Sequence, residues 1–138
     1  MKLADAVRTA KRVYIIGNGG SYANAAHIAN DLLICGIKAY TLDAASLTAS
    51  GNDHGYETVF SRWLEVVGEP GDLLIALSGS GKSPNIVRAI STAKAKGMES
   101  MLITDFLKTK DMQESEEEQI SVGHAVMKEL RDGRRSDR

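Results

Sequence analysis

The sequence predicts an α/β protein, a three-layer α/β/α sandwich built on a doubly wound, mainly parallel sheet. Three observations lead there. Short, near-continuously apolar runs alternate with segments of helical period along the chain, and a strand that is apolar on both sides belongs in a sheet covered on both faces. Right-handed crossovers between such strands place helices on the two faces. Two glycine-rich loops, Gly17-Asn-Gly-Gly-Ser21 and Ser78-Gly-Ser-Gly-Lys-Ser83, each follow a strand and open a helix. That puts both at the carboxyl edge of the sheet, where folds of this class bind ligands.

The elements follow in order. Lys2 to Lys11 reads as a short helix with Leu3, Ala6, Val7 and Ala10 on one face. Val13-Tyr-Ile-Ile16 ends abruptly at Gly17 and reads as a buried strand. From Tyr22 to Leu33 the period is helical again, with Ala25, Ile28, Ala29 and Leu32 inward. Ile37 to Leu42 is the second strand, and Tyr56 to Val67 a helix striped by Val59, Phe60, Trp63, Leu64 and Val67. Asp72-Leu-Leu-Ile-Ala-Leu77 is the clearest strand. Ser83 and Pro84 supply an N-cap and a first-turn proline for a helix that Gly97 closes. Ser100 to Thr104 is a fourth strand. Lys108 to Glu118 is polar and ambiguous, and Ile120, Gly123, Met127 and Leu130 mark a last helical face.

Composition narrows the function classes. The 138 residues carry 17 Lys+Arg against 18 Asp+Glu, a formal net charge of −1. That balance argues against nucleic-acid binding, which needs a basic stripe to displace counterions. The one basic cluster, Arg131-Asp-Gly-Arg-Arg-Ser-Asp-Arg138, is mixed in sign and reads as a disordered tail, with residues 1–130 forming a single domain. No apolar run approaches the ~20 residues that span a bilayer, and Met1-Lys-Leu-Ala-Asp-Ala is not a signal peptide. A lone Cys35 permits neither an internal disulfide nor a cysteine-based zinc site. A cytoplasmic location is the expectation.

The loops carry the chemistry. Glycines in the first, at Gly17, Gly19 and Gly20, let the backbone approach a ligand, and the helix that follows offers N–H groups to an anion. In the second, Ser78, Ser80 and Ser83, the backbone around Gly79, and Lys82 together suit a phosphate dianion. The bland alternative is that each loop is only a tight turn. Two nucleotide readings compete as well. Gly17-x-Gly19 begins a dinucleotide fingerprint but has Tyr22 at its third glycine position, with Asp43 where a ribose-binding acid would stand. Gly81-Lys82-Ser83 resembles the end of a P-loop, with Ala76 at its first glycine position and Asp105 as a magnesium-binding candidate. The P-loop reading leaves the Gly17–Ser21 loop without a role, and no nucleotide cofactor is expected. On the first helix Asn24, His27 and Asp31 share a face, and the last helix carries Glu116, Glu117 and His124.

The stretch from Gly17-Asn-Gly-Gly-Ser-Tyr-Ala-Asn-Ala-Ala-His-Ile-Ala-Asn-Asp31 resembles the opening motif of SIS (sugar isomerase) domains of the phosphoheptose isomerase type. The similarity continues through Leu47–Tyr56, Val59–Arg62, Gly71–Asn85 and Lys96–Met98, and returns at Gln119–His124. It implies a flavodoxin-like SIS fold and conversion of sedoheptulose 7-phosphate to D-glycero-D-manno-heptose 7-phosphate, a step toward nucleotide-activated heptose. It also implies that Ser21, Ser78, Ser80 and Ser83 hold the phosphate and that Asn18 and Asp53 line the sugar site. Asp31 falls at the position of the base and His124 at that of the acid. Some relatives bind zinc through this cluster, making His27, Asp31, Glu116 and His124 candidate ligands. Relatives are tetramers with shared sites, so a homo-oligomer is expected, binding a small-molecule sugar phosphate and neither nucleic acid nor membrane.

Departures from the resembled pattern are specific. Asp31 stands where Glu is usual, one methylene shorter, and Cys35 where a basic residue is expected. Gly79 replaces a Thr and Lys82 an Asn, exchanging a hydroxyl for a charge. The long N-terminal helix of relatives has no counterpart, and the stretch between Thr104 and His124 is abbreviated. These bear on turnover more than on binding, so a non-catalytic sugar-phosphate-binding module is the second reading and a P-loop protein the third.

Overall fold

The computed structural model describes residues 2–106 and 112–136. Four parallel strands lie in the order β2-β1-β3-β4: β1 Val13–Gly17, β2 Ala39–Tyr40, β3 Leu73–Leu77 and β4 Glu99–Leu102. Six α-helices surround them: α1 Lys2–Thr9, α2 Gly20–Ile34, α3 Ala44–His54, α4 Val59–Val67, α5 Pro84–Ala95 and α6 Met112–Ser136. The three-layer, doubly wound class read from the sequence is the observed one.

Strand alternation divides the core between the two faces. Val13 and Ile15 of β1, with Leu73, Ile75 and Leu77 of β3, point to one side and pack on α1, α2 and α6. Tyr14, Ile16, Leu74 and Ala76 point to the other and meet α3, α4 and α5. Every residue of β1 and β3 is buried, as their unbroken apolar runs require of central strands. Tyr14 keeps its phenol by donating to the Val67 carbonyl at 3.1 Å. Burial, with Asp72 nearby, raises its pKa. Trp63, half-buried, meets the Tyr14 ring edge-on at 5.2 Å and so belongs to this core.

Register places the two loops side by side. β1 and β3 pair from Val13↔Leu73 through Gly17↔Leu77, so both strands end at one level and both glycine loops emerge there. The chain turns toward β2 on one side of this point and toward β4 on the other. That is the switch point of a doubly wound sheet, where a crevice opens.

Several elements differ from the sequence reading. β2 was expected over Ile37–Leu42 but pairs only at Ala39 and Tyr40. Beyond it, Thr41 donates its hydroxyl to the Ile15 carbonyl and the Leu42 carbonyl accepts from Tyr22, so side chains take over from the ladder. β4 begins at Glu99 and gives way to a 3₁₀ turn at Ile103–Phe106, one residue earlier than read at its start and two at its end. Helix α3 was not foreseen, because Ala44-Ala-Ser-Leu-Thr-Ala-Ser-Gly-Asn-Asp-His54 buries only Leu47 and shows no apolar period. The helix expected from Tyr56 opens as a 3₁₀ turn, Tyr56–Thr58, before α4. α6 continues to Ser136 through most of the stretch expected as a tail; just before that stretch the Arg8 guanidinium of α1 donates to the Glu129 carbonyl. Residues 107–111, in the stretch left ambiguous, and the final two lie outside the described residues, as does the Asp105 side chain.

Asp43, at the position considered for a ribose ligand, instead caps α3, accepting from the Ser46 amide at 2.9 Å and the Ser46 hydroxyl at 2.7 Å. The Ser46 amide first, then its hydroxyl, holds the carboxyl below the usual carboxylate range. A lowered folded-state pKa makes the stabilisation complete above the unfolded pKa and lost as pH falls through the folded one. Asp43→Ala should therefore lower the melting temperature at neutral pH, and the deficit should shrink in acid. Calorimetry across that range checks both. In the second core Phe60 is fully buried, and Phe60→Ala should cost about 3–5 kcal/mol by urea denaturation.

Candidate functional site

The first loop is folded tightly on itself. The Ser21 amide donates to the Asn18 carbonyl at 2.9 Å, and a Cβ on Gly17 would lie 2.6 Å from the Ser21 carbonyl oxygen. Only glycine fits there. Gly19 precedes α2 with φ 55° and the helix has no side-chain cap; the Ser21 and Ala23 amides bond to the Asn18 and Gly19 carbonyls, and the rest of the first turn presents its positive end to the loop. In the second loop the Ser78 hydroxyl accepts from the Gly81 amide at 3.0 Å and the Ser80 hydroxyl from the Lys82 amide at 3.1 Å. Ser78 is buried, Gly79 and Ser83 half-buried, and Ser80 and Lys82 exposed. Ser83 occupies the N-cap of α5, with Pro84 following as expected. Its hydroxyl makes no bond to the helix and is available to a ligand.

An amide pair ties the loops together. Asn18 Nδ2 donates to Asn85 Oδ1 at 3.0 Å, and Asn85 Nδ2 returns a bond to Asn18 Oδ1 at 2.8 Å. Tyr56 adds its hydroxyl to the same Asn18 oxygen at 2.9 Å. Asn18, read as a sugar-site residue, thus spends its oxygen on the protein and keeps one N–H to offer. Asn85, which is buried, and Tyr56 were not singled out from the sequence. Their only signal was membership of the resembling segments. Asp53 is exposed near the end of α3, its carboxylate accepting from Asn52.

The second centre lies between α2 and α6. His27 and Asp31 are one turn apart on α2, with His27 Nε2 3.3 Å from Asp31 Oδ2. His124 comes from α6 to place its Nε2 3.2 Å from His27 Nε2 and 3.6 Å from the same carboxylate oxygen. The two helices close to this distance at Gly123, where a Cβ would sit 2.6 Å from Ile28 Cγ1. Asp31 is buried, its Oδ2 has no hydrogen-bond partner, and both histidines are exposed. Two imidazole nitrogens this close need a shared proton or a shared cation. The three atoms fit a metal ion: a tetrahedron with arms of ~2.0–2.1 Å has edges of roughly 3.3–3.4 Å, close to the three separations seen.

Glu116, the fourth candidate ligand, is not part of this group. It precedes His124 by eight residues, roughly 12 Å along a helix axis. Its carboxylate lies against Gly20, where any side chain on that residue would meet it. There it faces the positive end of α2 and, with Asn24, Gln113, Glu117 and Ile120, lines a cleft of about 580 Å³. Ser21, read as a phosphate ligand, is buried and accepts from Gln119 Nε2 at 3.1 Å. Gln119 was read only as the start of the resembling segment Gln119–His124, with no role of its own.

A family model described as SIS domain matches residues 1–105. The chain is 44% identical over 108 residues to a phosphoheptose isomerase of Akkermansia muciniphila, covering 72% of this chain and 57% of that one. It is 46% identical over 109 residues to a phosphoheptose isomerase of Burkholderia pseudomallei, covering 70% and 55%. The chain thus spans a little over half the length of these curated relatives. A solved phosphoheptose isomerase from Neisseria gonorrhoeae superposes with a TM-score of 0.81 at 28% identity, covering 94% of this chain and 81% of that one. One from Francisella tularensis, at 22% identity, shares the fold with a TM-score of 0.85, over 95% and 83%. With sheet, loops and matched segment in agreement, the chain belongs to the SIS domain family.

Proposed function

We propose that this chain serves an aldose–ketose isomerase, converting sedoheptulose 7-phosphate to D-glycero-D-manno-heptose 7-phosphate on the way to nucleotide-activated heptose. The observation that carries it is the meeting of the Asp31 carboxylate with the His124 imidazole, 3.6 Å apart and brought from α2 and α6. The phosphate-type loops and the names of the relatives support the substrate class.

The chemistry uses these groups in sequence. Ser78, Ser80, Ser83, Lys82 and the backbone around Gly19, Gly20 and Gly79 hold the phosphate, with Ser21 completing the cradle; Asn18 and Asp53 meet the polyol. Asp31 removes a proton from C1 while His124 protonates the oxygen at C2, giving the enediol. Loss of the O1 proton and return of a proton to C2 complete the aldose. A carboxylate and an imidazole suit this traffic because the first can take a carbon-bound proton while the second carries one to and from oxygen. His27, Asp31 and His124 would hold a zinc ion, which when bound polarises the carbonyl and steadies the enediolate. Asp31 is one methylene shorter than the usual Glu, and its burial between two helices brings the carboxylate to the imidazoles.

Along α2, at ~1.5 Å per residue, His27 and Asp31 lie roughly 9 and 15 Å from Ser21. That separation suits a long sugar phosphate. Both histidines are exposed, which supports a homo-oligomer, a tetramer as in relatives, whose neighbouring subunit covers the cluster. A cytoplasmic setting fits this role, and no helix among the described residues is long and apolar enough to cross a membrane.

The second reading, a sugar-phosphate-binding SIS module without turnover, draws on Glu116 standing apart from the cluster. Product analysis separates the two. Conversion of sedoheptulose 7-phosphate by the purified chain, reduced at least ~100-fold in His124→Ala, is the expected result; thermal stabilisation by the substrate without conversion favours the module. Zinc at a hundred times its dissociation constant should stabilise the fold by about 2.7 kcal/mol, an effect His27→Ala should largely remove. Equilibrium sedimentation should show an oligomer, and a monomer alone would refute the shared site.

A further inference from the structure

The bond network around Gln119 has a direction that can be read from chemistry alone. Asn24 bonds to the Glu116 main-chain carbonyl at 2.8 Å, and since a carbonyl only accepts, the Asn24 atom there must be Nδ2. Its second hydrogen goes to Gln119 at 2.9 Å, so that atom of Gln119 is Oε1. The remaining amide group of Gln119 is therefore Nε2, and it donates to Ser21 Oγ at 3.1 Å. Gln119 is fully buried and Ser21 nearly so, so neither group can trade this arrangement for water.

A serine hydroxyl has one hydrogen and two acceptor positions. With Gln119 donating into the oxygen, that hydrogen is left over, and among the described residues Ser21 donates to no acceptor. Ser21 sits in the first turn of α2, whose N–H groups open onto the loop. We infer that Gln119 is a positioning residue that holds Ser21 as a donor aimed at the phosphate. The glutamine thereby biases the cradle toward an anion oxygen that can only accept. This rests on the sugar-phosphate reading above, and it places α6 in control of the loop as well as of the histidine cluster.

A double-mutant cycle tests it, with inorganic phosphate as the probe and its dissociation constant read by calorimetry on the full chain. Ser21→Ala and Gln119→Leu should each weaken binding roughly tenfold, the scale of a hydrogen bond to a charged group. In the Ser21→Ala background, Gln119→Leu should add less than about twofold, because its effect runs through the missing hydroxyl. Gln119→Met, closer in length, takes its place if the leucine variant does not fold. The wild-type gain in affinity as phosphate becomes a dianion should also shrink in the Gln119 variant. Equal weakening in both backgrounds, no weakening, or an unchanged pH profile overturns the assignment. Failure of the wild-type chain to bind phosphate overturns the sugar-phosphate reading itself, and this inference with it.

Discussion

The packing of α6 against α2 is the constraint on which the rest of the site depends. α2 carries the loop-facing N-terminus at one end and His27 and Asp31 further along; α6 supplies Gln119 to the first and His124 to the second. The closeness of the pair is set by Gly123, which lets Ile28 fill the space a side chain would take. Replacing that hydrogen by even a methyl forces the helices apart or the isoleucine out of its place, and in a close-packed core either is felt. Two polar side chains of α6 thus meet their partners because one residue of α6 has no side chain.

The opposite side of the site is held by the sheet. Pairing of Gly17 with Leu77 ends β1 and β3 at one level, and the Asn18–Asn85 amide pair then fastens the loops that follow. A buried reciprocal amide pair satisfies both partners in one geometry. It is expensive to break, since each amide alone would be left unpaired. The loops are therefore rigid where they touch each other and open where Ser80, Lys82 and Ser83 face outward.

What could be read beforehand follows from how each signal arises. β1, β3 and α5 were legible because apolar runs and the Ser83-Pro84 start are local properties of the chain. Both glycine loops and the His27–Asp31 pair were legible for the same reason. α3 was hidden because a helix of Ala, Ser and Thr lying on the surface has no apolar period to show. β2 looked longer than it is, since Ile37 to Leu42 is apolar enough for a strand while the ladder is cut short by side-chain bonds of Thr41 and Tyr22. Glu116 was grouped with His124 through the resemblance, yet the rise of the helix they share separates them. Asn85, Tyr56 and Gln119 act only through partners at least 38 positions away in sequence, and such pairings have no local trace. The fold was written in patterns along the chain; half of the site was written across it.

The distance in sequence between α2 and α6 has a consequence for how the site comes into being. Its contacts with α2 join residues more than ninety positions apart, so they close long loops, a slow step for a chain that must first find its sheet. Until α6 docks, the carboxylate of Asp31 and the part of α2 around Ile28 lack the cover that Gly123 and its neighbours give, and the His27–Asp31 pair is without His124. A region that rests on helix–helix seams with α1 and α2 is also one that can open locally while the sheet persists. Loss of function under mild stress would then be a matter of one helix lifting away, reversible and invisible to probes that watch the strands.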